Sequence, residues 1–186
     1  MIATQSNSRL SRVVPLLIAI MAAVIIGVAA TPAPAANPTT VKVKVIMTGP
    51  PVKFLPAGDD KAHMVGMGQR KGKAVFSDNR KADYSNVFIL DLYRGKFANS
   101  WGYTKMVFKD GSWLFFKWDA AFAGRDKAGN PTMAGTGKIL KGSGAYEGIK
   151  GTAKFSNRRI PPNKEFPKGA TEANAVLTYT LPAKQQ

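Results

Sequence analysis

One histidine, His63, and no cysteine stand in the 186 residues of this chain. Triads built on imidazole and most general-base schemes therefore fall away, and one histidine falls short of the several ligands that a metal site needs. His63 reads as a loop or strand-edge residue. Without a thiol there is neither a cysteine nucleophile nor a disulfide. The carboxylates remain. Asp91 and Asp119 each lie in an otherwise apolar stretch, where a carboxylate is costly unless it is paired or exposed. Facing a cavity, they would be the candidates for catalysis. Alternation along a strand instead puts both opposite the main aromatic row, on an outer face beside lysines such as Lys117. Asp59 and Asp60 read as an ordinary loop pair. Gly135-Thr-Gly-Lys138 has the outline of a phosphate-binding loop, but Thr132 stands where its first glycine belongs and Ile139 replaces the hydroxyl residue that would hold magnesium. No catalytic residue is assigned, and neither a cofactor nor a metal is expected.

The aromatic residues say more. Leu114, Phe116, Trp118, Ala120 and Phe122 alternate with Trp113, Phe115, Lys117 and Asp119, so one face of this strand is apolar throughout and the other is mixed. Phe88, Leu90, Phe108, Phe116 and Trp118 are expected to point inward, where they either pack as a core or line a site for a small ligand. On the opposite face Val87, Ile89, Tyr93, Trp113 and Phe115 make an apolar patch too large to leave in water, which suggests a subunit interface.

Strands must position both rows. Val41-Lys-Val-Lys-Val45 alternates apolar and charged residues until Gly49-Pro-Pro51 breaks it, and Pro56 to Lys61 forms a loop. His63 to Phe76, with Gly66, Gly68 and Gly72, reads as two strands or as one strongly bent strand. Tyr84 to Tyr93 and Trp101 to Lys109 follow, and Asp110-Gly111 supplies the turn of a hairpin whose partner strand runs from Ser112 to Phe122. Three further strands are expected, from Thr132 to about Leu140, from Ile149 to Asn157 and from Glu172 to Leu181. The count is about eight strands at intervals of roughly 10 to 15 residues. Glycines are densest from Gly135 to Phe155, as in sheets that bend sharply to close. The expected fold is all-β, a single antiparallel eight-stranded barrel, with a β-sandwich as the second architecture.

The first 36 residues are a different material. Arg9 and Arg12 precede an apolar run from Val13 to Ala30 and a small-residue stretch to Ala36, the pattern of a secretory signal cleaved after Ala35 or Ala36; a retained membrane anchor is the alternative. Residues 37–186 then form one domain, exported to a bacterial periplasm or secreted. The net charge of +16 falls only to +14 without the segment, which holds two arginines and no acid. Such a field favours anionic partners such as an envelope surface, although export weighs against nucleic acid. Because the lysines alternate along strands without clustering, they are expected chiefly to keep the barrel soluble.

Lys109-Asp-Gly-Ser-Trp-Leu-Phe-Phe-Lys-Trp118, Ala134-Gly-Thr-Gly-Lys138 and Gly142-Ser-Gly-Ala-Tyr-Glu-Gly-Ile-Lys-Gly151 resemble the allene oxide cyclase and dirigent barrel superfamily, and most closely its small exported bacterial members. The likeness runs from Tyr103 to Phe155. It implies an eight-stranded barrel, frequently trimeric, with an apolar cavity in which a few polar groups guide reactive apolar molecules. No catalytic residue carries over, and Glu147 falls at a turn position. The expected function is binding of a small apolar or amphipathic ligand without turnover. An isomerase, cyclase or dirigent-like activity and a basic polyanion-binding module are the alternatives.

Overall fold

The computed structural model describes residues 37–183. The signal segment expected over residues 1–36 lies outside the described residues. Nine strands follow one another: β1 Thr39–Thr48, β2 Lys53–Pro56, β3 His63–Phe76, β4 Lys81–Tyr93, β5 Lys96–Phe108, β6 Trp113–Arg125, β7 Pro131–Ser143, β8 Lys150–Ile160 and β9 Ala170–Thr180. All neighbours pair antiparallel in the order β1-β9-β8-β7-β6-β5-β4-β3-β2, and a further pairing of β1 with β3 closes the sheet.

The closed barrel has eight staves because β1 and β2 are two pieces of one. Val43–Thr48 pairs with Lys71–Phe76 of β3, and Lys53–Pro56 pairs with Met64–Met67 of the same strand. Pro50 and Pro51 have no N–H to give the ladder, so the stave breaks between them and resumes. On the other side of this break, β3 runs unbroken for 14 residues. Gly72 allows the bend: a Cβ there would overlap the Ile46 carbonyl of β1.

Residues alternate between the two faces of every stave. The inward row includes Val43, Val45 and Met47 of β1, Ala74 and Phe76 of β3, Tyr84, Phe88 and Leu90 of β4, and Met106 and Phe108 of β5. Leu114, Phe116 and Trp118 of β6, Ala153 of β8 and Leu177 of β9 continue it, all of them buried. The Asp110-Gly111 hairpin is present as the spacing requires, with the Gly111 N–H donating to the Phe108 carbonyl at 3.0 Å and φ of 83° at Gly111.

One end of the barrel is plugged from within. A 3-10 turn, Gly144–Tyr146, follows β7 and turns Tyr146 into the interior, where its ring stacks on Phe108 at 4.7 Å. The Arg80 guanidinium lies 5.2 Å from the Phe76 ring centroid and 5.8 Å from that of Tyr146. Arg80 also donates to the Tyr146 hydroxyl, to the Tyr179 hydroxyl at 3.3 Å and to the Asp78 carboxylate at 2.8 Å. Burial pushes the Tyr146 phenol up to about 12, so it stays a neutral acceptor for this cation. Glu147 is exposed in the turn that follows Tyr146, at the turn position expected of it.

Candidate ligand site in the barrel mouth

The opposite end is built differently. Inward-row residues there emerge toward solvent: Phe122 of β6 is 46% exposed and Phe54 of β2 is 38% exposed, whereas Phe108 at the plugged end is 8% exposed. Gly66 and Gly68 make this possible. Side chains at those positions would overlap Phe54 and Phe88, so the two glycines clear the wall and the rings of neighbouring staves occupy the space. Val52, Phe97, Met133 and Phe155 pack around the same rim.

Below the rim the interior is polar in a limited way. Asn86 donates through Nδ2 to the Tyr84 hydroxyl at 3.2 Å, and that hydroxyl lies 3.3 Å from Thr104 Oγ1. Burial raises the Tyr84 phenol above its ordinary value, so this group too remains protonated. Among the described residues two buried side-chain polar atoms have no hydrogen-bond partner, Asn86 Oδ1 and Trp118 Nε1. Both residues are on the inward row and more than nine-tenths buried. Buried polar groups are almost always paired, so an acceptor and a donor left open inside an apolar wall mark this region out.

The sequence-expected ligand residues divide between the two ends. Phe88, Leu90, Phe116 and Trp118 lie on inward positions near or below the mouth, with Trp118 edge-on to Phe155 at 5.7 Å. Phe108 belongs to the plug with Tyr146 and Phe76. Residues that the sequence did not single out are Arg70, Asn86, Phe54 and Phe155. The signal for Arg70 was the alternation Gly66, Gly68, Arg70, Gly72, Ala74, Phe76, an inward row whose small residues hide its character.

Asp91 and Asp119 both face outward, as period-two alternation requires. Asp91 is held by His63 and not by a lysine: His63 Nε2 lies 2.8 Å from Asp91, and Nδ1 lies 2.8 Å from Asp59. The hydrogen bonds with Asp59 and Asp91 raise the imidazole above its ordinary value. Beside it the Tyr93 hydroxyl donates to Asp60 at 2.8 Å. The Asp59-Asp60 loop is thus clasped to β4 on the outer rim. The same clasp places His63 on the first residue of its strand with two carboxylate partners. No group of three or more His, Asp or Glu side chains among the described residues is arranged to hold a metal. Lys117, expected beside Asp119, lies 5.9 Å from the centroid of the Trp101 ring.

The outer face has two halves. On β4 to β6, Val87, Ile89, Tyr93, Trp113 and Phe115 lie on outer positions; Tyr103 stacks on Phe115 at 5.6 Å, and Lys105 caps Trp113 at 5.1 Å. On β1, β3, β8 and β9 the fold gathers Lys42, Lys44 and Lys154 around Val75 and Val176 in a surface groove of about 520 Å³. The lysines that are merely alternate along the chain therefore do cluster once the staves are side by side. Lys44 is paired with Glu172 at 3.2 Å. Burial works to raise the Glu172 carboxyl, but hydrogen bonds from Lys44, Arg158 and Asn174 outweigh it and hold the group below the usual carboxylate range.

No family model matches this chain, and no curated protein matches its sequence. Among solved structures, the pterocarpan synthase dirigent protein PsPTS1 is similar at a TM-score of 0.44 and 15% identity, over 81% of this chain and 99% of that one. A second pterocarpan synthase dirigent protein, GePTS1, is similar at the same TM-score and identity, over 82% of this chain and 91% of that one.

Proposed function

We propose that this is an exported barrel protein that takes a small apolar or amphipathic molecule into its mouth and does not turn it over. The observation that carries this is the pair of unpartnered buried atoms, Trp118 Nε1 and Asn86 Oδ1, inside an aromatic wall. A buried polar group without a partner costs roughly 1–3 kcal/mol, and a ligand offering the complementary groups would relieve that cost while covering the rings of Phe54, Phe88 and Phe122. The inward rows of the described strands carry no carboxylate and no imidazole. The sequence pattern of residues 1–36 supports export.

The test is a titration with N-phenylnaphthylamine, a neutral dye that brightens in apolar surroundings. One dye per barrel is expected, with Phe122→Asp weakening it about tenfold or more, as burial of a charge beside an apolar ligand requires. Unsaturable brightening, or binding unaffected by Phe122→Asp, contradicts the proposal.

We further infer that barrels associate, as a trimer, through the outer patch of Val87, Ile89, Tyr93, Trp113 and Phe115. Half-exposed Val87 and the stacked pair Tyr103 and Phe115 support this, since apolar surface of this kind is a poor neighbour for water. Light scattering is expected to read a trimer that Phe115→Lys dissociates. A monomeric wild-type protein at the same concentration removes the inference. The basic groove of Lys42, Lys44 and Lys154 would then be left facing outward, toward an anionic envelope surface.

A further inference from the structure

The barrel separates its charges by face. Every strand carboxylate is on an outer position: Asp83 of β4 ion-pairs with Lys73, Asp91 with His63, and Glu172 of β9 with Lys44 and Arg158, while Asp119 of β6 lies in register between Trp101 and Thr136. Of the acids in the mouth loops, Asp59 and Asp60 are taken up around His63 and Asp126 around Ala128 and Asn130, while Glu165 is exposed in the loop after β8. The inward rows at the mouth carry Arg70 of β3, Arg159 of β8 and, beyond the bulge of β6, Arg125, which donates to the Gly129 carbonyl of its own loop at 2.7 Å. The place of Arg70 and Arg159 on those rows follows from register: Arg70 is the cross-strand partner of Asn86, and Arg159 lies two residues beyond Asn157, itself two beyond Phe155.

Neither Arg70 nor Arg159 has an ion-pairing carboxylate among the described residues. Arg70 is half-buried, with its guanidinium 5.3 Å from the Phe88 centroid, and its Nη1 donates to the carbonyls of Pro50 at 2.8 Å and Gln69 at 2.9 Å. Those two bonds fill the gap left where the prolines break β1 from β2, and they engage one of its three nitrogens. Burial, and after it the like charge of Arg159, holds the Arg70 guanidinium below its ordinary value. The fold therefore sets Arg70 over the Phe88 ring and Arg159 at the exposed rim of the same inner face, neither with an ion-pairing carboxylate, an arrangement that an anion would complete. Trp118 Nε1, the unpartnered donor on the same inner face, needs an acceptor as well.

Resting on the mouth as the binding site, we propose that it selects an amphipathic monoanion, whose acid group is held by Arg70 and Arg159 while its apolar body lies against Phe54, Phe88 and Phe122. A carboxylate is the fitting class, because a planar guanidinium can offer it two parallel hydrogen bonds. The site thereby reads an acid headgroup from inside the barrel, apart from the lysines of the outer groove.

The experiment uses the full chain as produced and processed by the expressing cell, and compares decanoate with decanol as displacers of bound N-phenylnaphthylamine. The two share a chain length and differ in charge. Decanoate is expected to displace the dye at about one tenth of the decanol concentration or less, the size of one charge-assisted hydrogen-bond contribution. Arg159→Gln, at the exposed rim, is expected to bring that ratio near one, and Arg159→Lys to keep part of it. Equal potency of acid and alcohol in the wild-type protein, or a decanoate preference that survives both Arg159→Gln and Arg70→Gln, overturns the acid selectivity and leaves mouth binding standing. Failure of the barrel to bind the dye at all overturns mouth binding itself.

Discussion

At the scale of residues, His63 shows what register can do with an isolated group. Its two ring nitrogens each face a carboxylate, Asp59 from the preceding loop and Asp91 from the next stave. Because these partners raise the imidazole's folded-state pKa above the ordinary value of about 6.5, the clasp contributes its stability fully below that pH and loses it as pH rises through the folded value. As the only histidine in the chain, His63 gives a single imidazole resonance. Its NMR titration midpoint is expected above 6.5, with proteolysis in the loop before it quickening as the ring deprotonates. A midpoint at or below 6.5, or a loop whose cleavage ignores pH, contradicts the clasp. The sequence made the outward direction of Asp91 legible through alternation. It could not show the partner, because His63 and Asp91 meet only once β3 and β4 are aligned with His63 opposite Tyr93. Arg70 was obscured for a different reason: its neighbours on the inward row are glycines, which carry no hydropathy to reveal a face.

At the scale of elements, glycine and proline explain both what was readable and what was not. Asp110-Gly111 and the dense glycines from Gly135 onward point to hairpins and bends, and the structure has them. The strands, however, run past the polar residues that read as turns: β4 starts at Lys81, β6 continues to Arg125 and β7 runs to Ser143. Polar side chains at hairpin ends cost nothing when they face solvent, so composition marks those ends too early. Gly49-Pro-Pro51 signals a strand end correctly, but resumption of the stave as β2 depends on pairing with β3 and leaves no local trace. Gly72 is the clearest element-level test. Its Cβ would meet backbone and not a side chain that can move aside, so Gly72→Ala is expected to cost about 1–3 kcal/mol, the range for overpacking. Urea unfolding checks this, and a midpoint equal to wild type would show that β1 and β3 can part at the bend without cost.

At the scale of the whole molecule, closure of the sheet sorts the chain into three environments: a plugged end built on Arg80, Tyr146 and Tyr179, a mouth lined with aromatic rings and arginines, and an outer wall with an aromatic half and a lysine-bearing half. The fold class was legible because period two and turn chemistry are local properties. The distinction between plug and mouth was not, since Phe108 and Phe116 are equivalent in pattern and differ only in which end of the barrel they reach. The three tryptophans report on these environments separately, with Trp118 on the inner face and Trp101 and Trp113 on the outer wall. Following their indole N–H resonances while N-phenylnaphthylamine is added therefore tests mouth binding most directly. The Trp118 signal, assigned by its loss in Trp118→Phe, is expected to shift and saturate at one dye per barrel while the signals of Trp101 and Trp113 hold still. Shifts confined to Trp101 and Trp113, with Trp118 unmoved, would place the dye on the outer wall and contradict the account.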